Sequence, residues 1–342
     1  MTSHLRVPGG TKTAPPGPGP LAKALAAAGH PVARRLLAVP LTVAGAALII
    51  WSLLPLAPGD PARLTLVAQG VPEPTPEQLA QARADLGLDR SLPEQFGHWL
   101  VRAAHGDLGT SFASGRPVTH ELAERLPATL RLGATAVLLA LAIAVPTALV
   151  AAAFRRRWPD TAARGLALLG AATPGFVAGL ILIQVVVLRG GFGSVVLDGS
   201  WGEVGLPALC LAFGLFDVWS RLLRGSLVDA LDSDWAASVT ARGASGRRLL
   251  LRHALPNALP PLIHAVAVGA GALWGGAAIV ETVFTWPGAG SYVVTSVKAR
   301  DLPVIQAFAV FATLAYVAVS LLADLLAAAV DPRLRGRAQG AR

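Results

Sequence analysis

Few residues in this chain are spaced to do bond chemistry. No G-x-x-x-x-G-K-[ST] phosphate loop occurs, so ATP hydrolysis by that route is excluded. There is no H-E-x-x-H and no Cys/His cluster at metal-ligand spacing. Ser and His form no readable nucleophile and base pair. His98 and His105 lie seven residues apart and could share a helix face, with His120 further on. A metal site would still need ligands supplied by the fold, and solvated surface histidines are the plainer reading. Cys210 is the single cysteine, which excludes an internal disulfide; its place in the apolar stretch Leu206–Leu215 suits a small helix-packing residue. No enzyme activity, metal ligand or cofactor is expected of the chain itself.

Charges within apolar runs are the next candidates, because each costs roughly 2.5–3.5 kcal/mol at a bilayer centre on insertion scales. Asp217 can pair with Arg221, four residues on along one helix face. Asp324 lies toward the end of the last apolar run. Both read as interface charges rather than ion-coupling sites. Gln184 and His264 read as helix-to-helix hydrogen bonders. A secondary transporter or channel would need paired broken helices or midplane ions, and it stands as the weaker alternative.

The elements that must position these residues are membrane helices. Of 342 residues, 54% are hydrophobic and only 14% charged. The apolar residues come in long runs, the pattern of an all-α integral membrane protein. Residues 1–32 are rich in Pro, Gly and Ala and are expected to be a disordered tail. No cleavable signal peptide is evident, since the first apolar run begins only near Leu36. Six spans are expected, at about 33–56, 128–154, 165–188, 204–223, 260–280 and 303–330. The polar segment 57–126, broken by Pro72, Pro74, Pro76 and Pro93, is expected to be a small folded insertion between spans one and two.

The net charge of +9 would suggest nucleic acid in a soluble domain. Here the arginines flank apolar runs, so they report membrane orientation instead, and no nucleic-acid partner is expected. Arg34 and Arg35, Arg155–Arg157, the 221–252 stretch and Arg333–Arg337 fall on one side. By the positive-inside rule that side is the cytoplasm, with both termini inside and 57–126, 189–203 and 281–302 outside.

The loop 224–257 between spans four and five is the informative one. It reads Asp234, Trp235, Ala237, Ser238, Thr240, Ala241, Arg242, Gly243, Ala244, Ser245, then Arg247, then Leu255 and Pro256 at membrane re-entry. A short Ala- and Ser-rich helix ended by a glycine presents a low-relief surface that can seat in a partner's groove. A plain basic cytoplasmic loop is the competing reading.

This loop resembles the EAA loop of ATP-binding-cassette (ABC) importer permeases, with Gly243 at its glycine and Leu255-Pro256 at its Leu-Pro. Ala237 stands where the general motif has Glu, and Val239 replaces a small residue. Pro58-Gly59-Asp60-Pro61, Leu86-Gly87-Leu88-Asp89, Gly106–Ser111, Gly115–Val118, Glu124–Leu130, Val280–Gly290, Arg300–Pro303 and Asp331-Pro332-Arg333 resemble the B-type permease of dipeptide, oligopeptide and nickel importers, as do Arg221, Arg224 and Ser226. The resemblance spans about residues 33–335 and implies the type I (MetI-like) permease architecture in a bacterial cytoplasmic (inner) membrane, with a core at 127–335 and a short tail at 336–342. It implies a second, C-type permease as heterodimer partner, two ATP-binding subunits that hold ATP and Mg, and an extracytoplasmic substrate-binding protein. Ala237–Ser245 would be the helix coupling to the ATPase, flanked by Arg242, Arg247 and Arg248. Asp60, Asp107, Gly109, Glu281, Trp286, Pro287 and Gly288 would face the binding protein or form a gate. Substrate is not readable; peptide, nickel, opine and sugar importers share this branch.

Overall fold

The computed structural model describes residues 31–52, 60–194 and 196–330, the side chains of 31–39, 50, 68, 323–325 and 327–330 excepted. Most of the expected tail 1–32, the tail 336–342, Pro58, Gly59, the Arg333–Arg337 cluster and the side chains of Arg34, Arg35 and Asp324 lie outside them. The described residues are helical, with one isolated antiparallel bridge between Thr110 and Pro117. In order the helices are α1 (Pro31–Ser52), α2 (Pro61–Ala68), α3 (Pro76–Asp85), α4 (Leu92–Ala104), α5 (Val118–Ala153) and α6 (Trp158–Ala172). Then follow α7 (Gly175–Arg189), α8 (Gly205–Leu231), α9 (Asp234–Ala241), α10 (Gly246–Val283), α11 (Ala289–Ala299) and α12 (Leu302–Val330).

Four helices, α5, α8, α10 and α12, are long and apolar enough to cross a membrane, and α6 with α7 makes a fifth if that bent pair is one span. The apolar part of α1 within the described residues is Pro40–Ile49. Several expected boundaries move. The second span starts at Val118 rather than 128, so α5 runs out of the insertion without a break. The fourth continues to Leu231, and the fifth begins at Gly246 and passes through a π-helical stretch at Leu249–Ala254. The 224–257 loop is therefore mostly helix. The third span is not a single rod: α6 and α7 meet at 101° around Thr173 and Pro174. Thr173 adopts an extended ψ of 112°, as the residue before a proline prefers, and Pro174 starts the next helix. Pro146 interrupts nothing, since α5 packs along α8 through that region.

The packing follows from the absence of a hydrophobic force between helices in lipid, where close backbone approach and van der Waals contact must do the work. Along α5, Ala136, Ala140, Ala144, Ala148 and Ala152 recur every fourth residue and are each at most 1% exposed. They receive the large residues Phe216, Trp219, Leu223 and Leu227 of α8, with Leu250, Ala254 and Leu262 of α10 closing the cluster. A second cluster, toward the other end, joins Leu132, Leu211, Val280, Phe284 and Trp286. Further out, α10 packs on α12 and α12 on α1. Cys210 is buried as expected, and its thiol donates to Gly175 O at 3.1 Å, beside the α6–α7 break.

At the arginine-rich end, α6 is fastened to α8 by charge. The Arg224 guanidinium grips the buried Asp160 carboxylate with Nε and with Nη2, the latter at 2.7 Å, and Arg156 N donates to the same carboxylate at 3.0 Å. Arg155 pairs with Asp232 across 77 residues, and Asp217 pairs with Arg221 at 2.9 Å as its spacing implies. Gln184 and His264 are exposed and make no side-chain hydrogen bond among the described residues, so neither links two helices within this chain. Removing one member of a buried ion pair strands the other, at roughly 3 kcal/mol. Asp160→Asn should therefore lower the melting temperature of the purified chain in detergent. Asp160→Asn combined with Arg224→Gln should lose less than the sum of the two single changes.

Candidate coupling surface and far-end gate

Helix α9 is built to be short and bare. Ser233 precedes it in extended backbone, and Gly243 ends it at φ +84°, a left-handed geometry that favours glycine. Gly243 N donates to Thr240 O at 2.9 Å and Ala244 N to Val239 O at 3.4 Å, which closes the last turn. Ala236 is the buried residue of the helix, holding it to the bundle. Asp234, Trp235, Ala237, Ser238, Thr240, Ala241, Arg242, Gly243, Ser245 and Arg247 are all exposed, and Ala244 is half-buried. The coupling set proposed from sequence thus forms one open surface, although its helix is Asp234–Ala241 rather than 237–245. Ser245 caps the next helix by accepting Arg248 N at 3.4 Å, and α10 then carries half-buried Leu255 and exposed Pro256 onward without interruption.

The far end is organised by two buried carboxylates. Glu281, at the end of α10, is fully buried. Thr129 Oγ1 of α5 donates to its Oε1 at 2.7 Å, and Ser291 N in the first turn of α11 donates to its Oε2 at 2.8 Å. The Thr129 hydroxyl in turn accepts Ala289 N at 2.8 Å, and Trp286 Nε1 donates to Ala128 O at 3.1 Å. A carboxylate at a helix N-terminus also meets the favourable end of the helix dipole. A Cβ on Gly288 would collide with the Glu281 carboxylate, and one on Gly290 would lie 2.6 Å from Ala278 Cα. The two glycines are therefore required by close approach. Asp301 is 1% exposed and receives the Ser111 hydroxyl, Phe112 N at 3.0 Å and Ala113 N at 3.2 Å. It anchors the tight loop 109–118 of the insertion to the junction of α11 and α12.

The positions expected to face a binding protein or form a gate differ in exposure. Glu281, Trp286 and Gly288 are buried in the chain's own packing. Asp60 caps α2 by accepting Ala62 N at 3.1 Å and pairs with Arg83 at 2.8 Å, which ties α2 to α3. Asp107 is exposed, accepts Gly109 N at 2.9 Å, and leaves Gly109 at φ +87°. Pro287 is exposed. Thr129, Ser111, Asp301, Asp160 and Glu121 carry the polar framework; the first three lie in segments that carry the family resemblance, whereas Asp160 and Glu121 were not singled out from sequence. Glu121 is buried between Arg116, at 3.4 Å, and Arg125, at 3.2 Å. The three far-end histidines are dispersed: His105 Nδ1 lies 2.8 Å from Val101 O and His120 Nε2 lies 3.2 Å from Glu124. No group of three metal-capable side chains occurs among the described residues. Between the two ends, an apolar cavity of about 390 Å³ opens at the α6–α7 break, lined by Gly175, Phe176, Cys210, Gly214, Gly276 and Ile279.

Comparison with known proteins bears on this layout. A family model described as "Binding-protein-dependent transport system inner membrane component" matches residues 144–336. One for the N-terminal part, "Binding-prot-dependent transport system membrane comp, N-term", matches 30–133. The chain is 37% identical over 304 residues to the glutathione transport system permease protein GsiC of Salmonella choleraesuis (strain SC-B67), covering 89% of this chain and 98% of that protein. The protein of the same name from Escherichia coli (strain K12) is 36% identical over the same shares. The chain belongs to the family of binding-protein-dependent transport system inner membrane components. It is the permease component of an ABC importer, and such a component implies ATPase and substrate-binding partners. The two matched regions hold the insertion with its Asp301-anchored loop and the core with α9, so each end of the permease lies within the likeness.

The contrast between its glycines gives a measurable consequence. Gly290→Ala forces a methyl onto α10 backbone, whereas at Gly243 a Cβ meets open space and only the backbone is strained. Gly290→Ala should lower the melting temperature of the purified permease clearly, by the several degrees that overpacking of about 1–3 kcal/mol implies. Gly243→Ala should cost only the roughly 1–2 kcal/mol of a left-handed backbone, with no steric clash.

Proposed function

We propose that this permease is one of two pore-forming subunits of an importer for peptides or related small solutes, driven through α9. The observation that carries this reading is the exposed, glycine-terminated small-residue helix joined to α10 by the four-residue turn 242–245. A push on α9 would be delivered to the bundle through α8 on one side and α10 on the other. Two ATPase subunits, holding ATP and Mg, would seat α9 in a cleft. A second permease would complete the pathway, and the apolar cavity at the α6–α7 break would be part of its wall. The chain would cross the membrane six times, with α1 as the first span and both termini in the cytoplasm, as the arginine-rich α9 end favours. An external binding protein would deliver solute at the far end. The name carried by the relatives, glutathione permease, supports a small peptide-like solute.

Uptake into membrane vesicles tests the reading. Solute accumulation should require ATP and the ATPase subunits; accumulation that persists without either would sink it. Gly243→Asp should abolish co-purification with the ATPase while leaving membrane insertion intact. Wild-type co-purification of that variant would remove the coupling role from α9.

A further inference from the structure

A second cavity, of about 420 Å³, lies at the far end, separate from the one at the α6–α7 break. It is lined by the turn after α3, by α4, by Leu108, Gly109, Thr110 and Phe112 and by the start of α12, with Trp51 of α1 on its wall. This volume suits a small solute.

Its lining includes two polar side chains that no described residue pairs. Trp99 on α4 is 7% exposed, and its indole N–H has no acceptor among the described residues. Gln306 on α12 is 6% exposed, lines the same cavity, and makes no side-chain hydrogen bond among the described residues. Buried polar groups are nearly always paired, so the carboxamide of Gln306 lining the cavity and the indole N–H of Trp99 beside it offer hydrogen-bonding capacity that no described residue takes up. An indole donor and a carboxamide, which both donates and accepts, match the hydrogen-bonding needs of a peptide group. The cavity also has a cationic bias, with Arg90, His98 and Arg102 against Asp85. The nearest carboxylate to Arg102 is Asp107, at 3.9 Å, a loose contact that leaves the guanidinium able to take another anion. Gln95 fixes the turn bearing Arg90 by donating to Leu88 O at 3.2 Å and Arg90 O at 2.9 Å. The two indoles on the wall are held from behind by one ring: Phe96 lies 5.6 Å from Trp51 and 6.2 Å from Trp99 between ring centroids.

We propose that this cavity is a binding site for a short peptide-like solute, its carboxylate held by Arg90 and Arg102 and its amide groups by Gln306 and the Trp99 N–H. The site rests on the importer reading for its purpose, as a station between delivery and the pathway, but its occupancy needs no ATPase.

Equilibrium dialysis of labelled tri-alanine against the full-length permease in phosphatidylcholine nanodiscs tests it. Tri-alanine should bind saturably, and its C-terminal amide about tenfold more weakly, because the charge-assisted contacts are lost. Arg102→Gln, at an exposed position, should weaken the free acid but not the amide. Gln306→Leu should weaken both about three- to tenfold with an unchanged or higher melting temperature, since no described residue bonds the amide that is removed. A merely structural Gln306 would instead lower the melting temperature and leave binding alone. Absence of saturable binding, equal binding of acid and amide, or indifference to Arg102→Gln overturns the proposal. So does displacement of tri-alanine by phosphatidylglycerol in the nanodisc, which would assign the cavity to a lipid headgroup. ATP-driven uptake that persists while tri-alanine does not bind sinks the site alone; binding without any ATP-driven uptake sinks the importer reading alone.

Discussion

The far end of this permease depends on the Glu281 carboxylate. An unpaired buried carboxylate is among the most unfavourable groups a fold can contain, and it is tolerated only where donors surround it. Here the donors come from two other elements: the Thr129 hydroxyl of α5 and the Ser291 amide at the head of α11. Thr129 closes the circuit by accepting Ala289 N. One side chain therefore sets the relation of α5, α10 and α11. The glycines at 288 and 290 follow from it, because any side chain there would occupy the space the carboxylate and α10 already fill.

The same device recurs at both ends. Asp301 fastens the insertion loop to the α11–α12 junction across about 190 residues of sequence, and Asp160 fastens α6 to α8 at the arginine-rich end. Between them the bundle is held by alanines packed under large α8 side chains, with a break and a cavity where α6 turns into α7. Directional, charge-assisted contacts at the ends have few alternative geometries, whereas small-residue packing allows sliding of one helix on another. In the proposed importer, motion of α9 would thus reach the middle of the bundle as rigid-body displacement of α8 and α10, with the far-end cap holding its own shape.

How much of this was legible in the sequence depends on the range of the interaction. The apolar runs, the Asp217–Arg221 pair and the small helix ended by Gly243 rest on local spacing: four of the expected spans fall on single long apolar helices and a fifth on the bent α6–α7 pair, Asp217 meets Arg221, and a short helix lies just before Gly243. The failures are of two kinds. Boundaries moved because polar residues continue a helix beyond its apolar run, as Val118–Pro127 and Asp229–Leu231 do. The third span broke at Thr173 and Pro174, where the residue before the proline turns extended, although α6 and α7 both pack on α8. The buried networks of Glu281 and Asp160 were not legible because burial of a carboxylate is invisible until its donors, 64 to 152 residues away, are in place.

That last point also changes what the motif likeness means. The segments 106–118, 124–130, 280–290 and 300–303 read as separate short patterns along the chain. In three dimensions they are one object. Gly109 and Ser111 belong to the loop that Asp301 anchors, Thr129 and Glu281 share a hydrogen bond, and Gly288 and Gly290 make room for that bond. Their order and spacing are specific because they are the parts of a single polar cap, and a cap of buried charge admits few substitutes. The apolar spans between them can satisfy lipid and packing with many sequences, so they carry little identity of their own. What identifies this permease is concentrated where polar groups have been forced out of water, at the two ends of a bundle whose middle is generic.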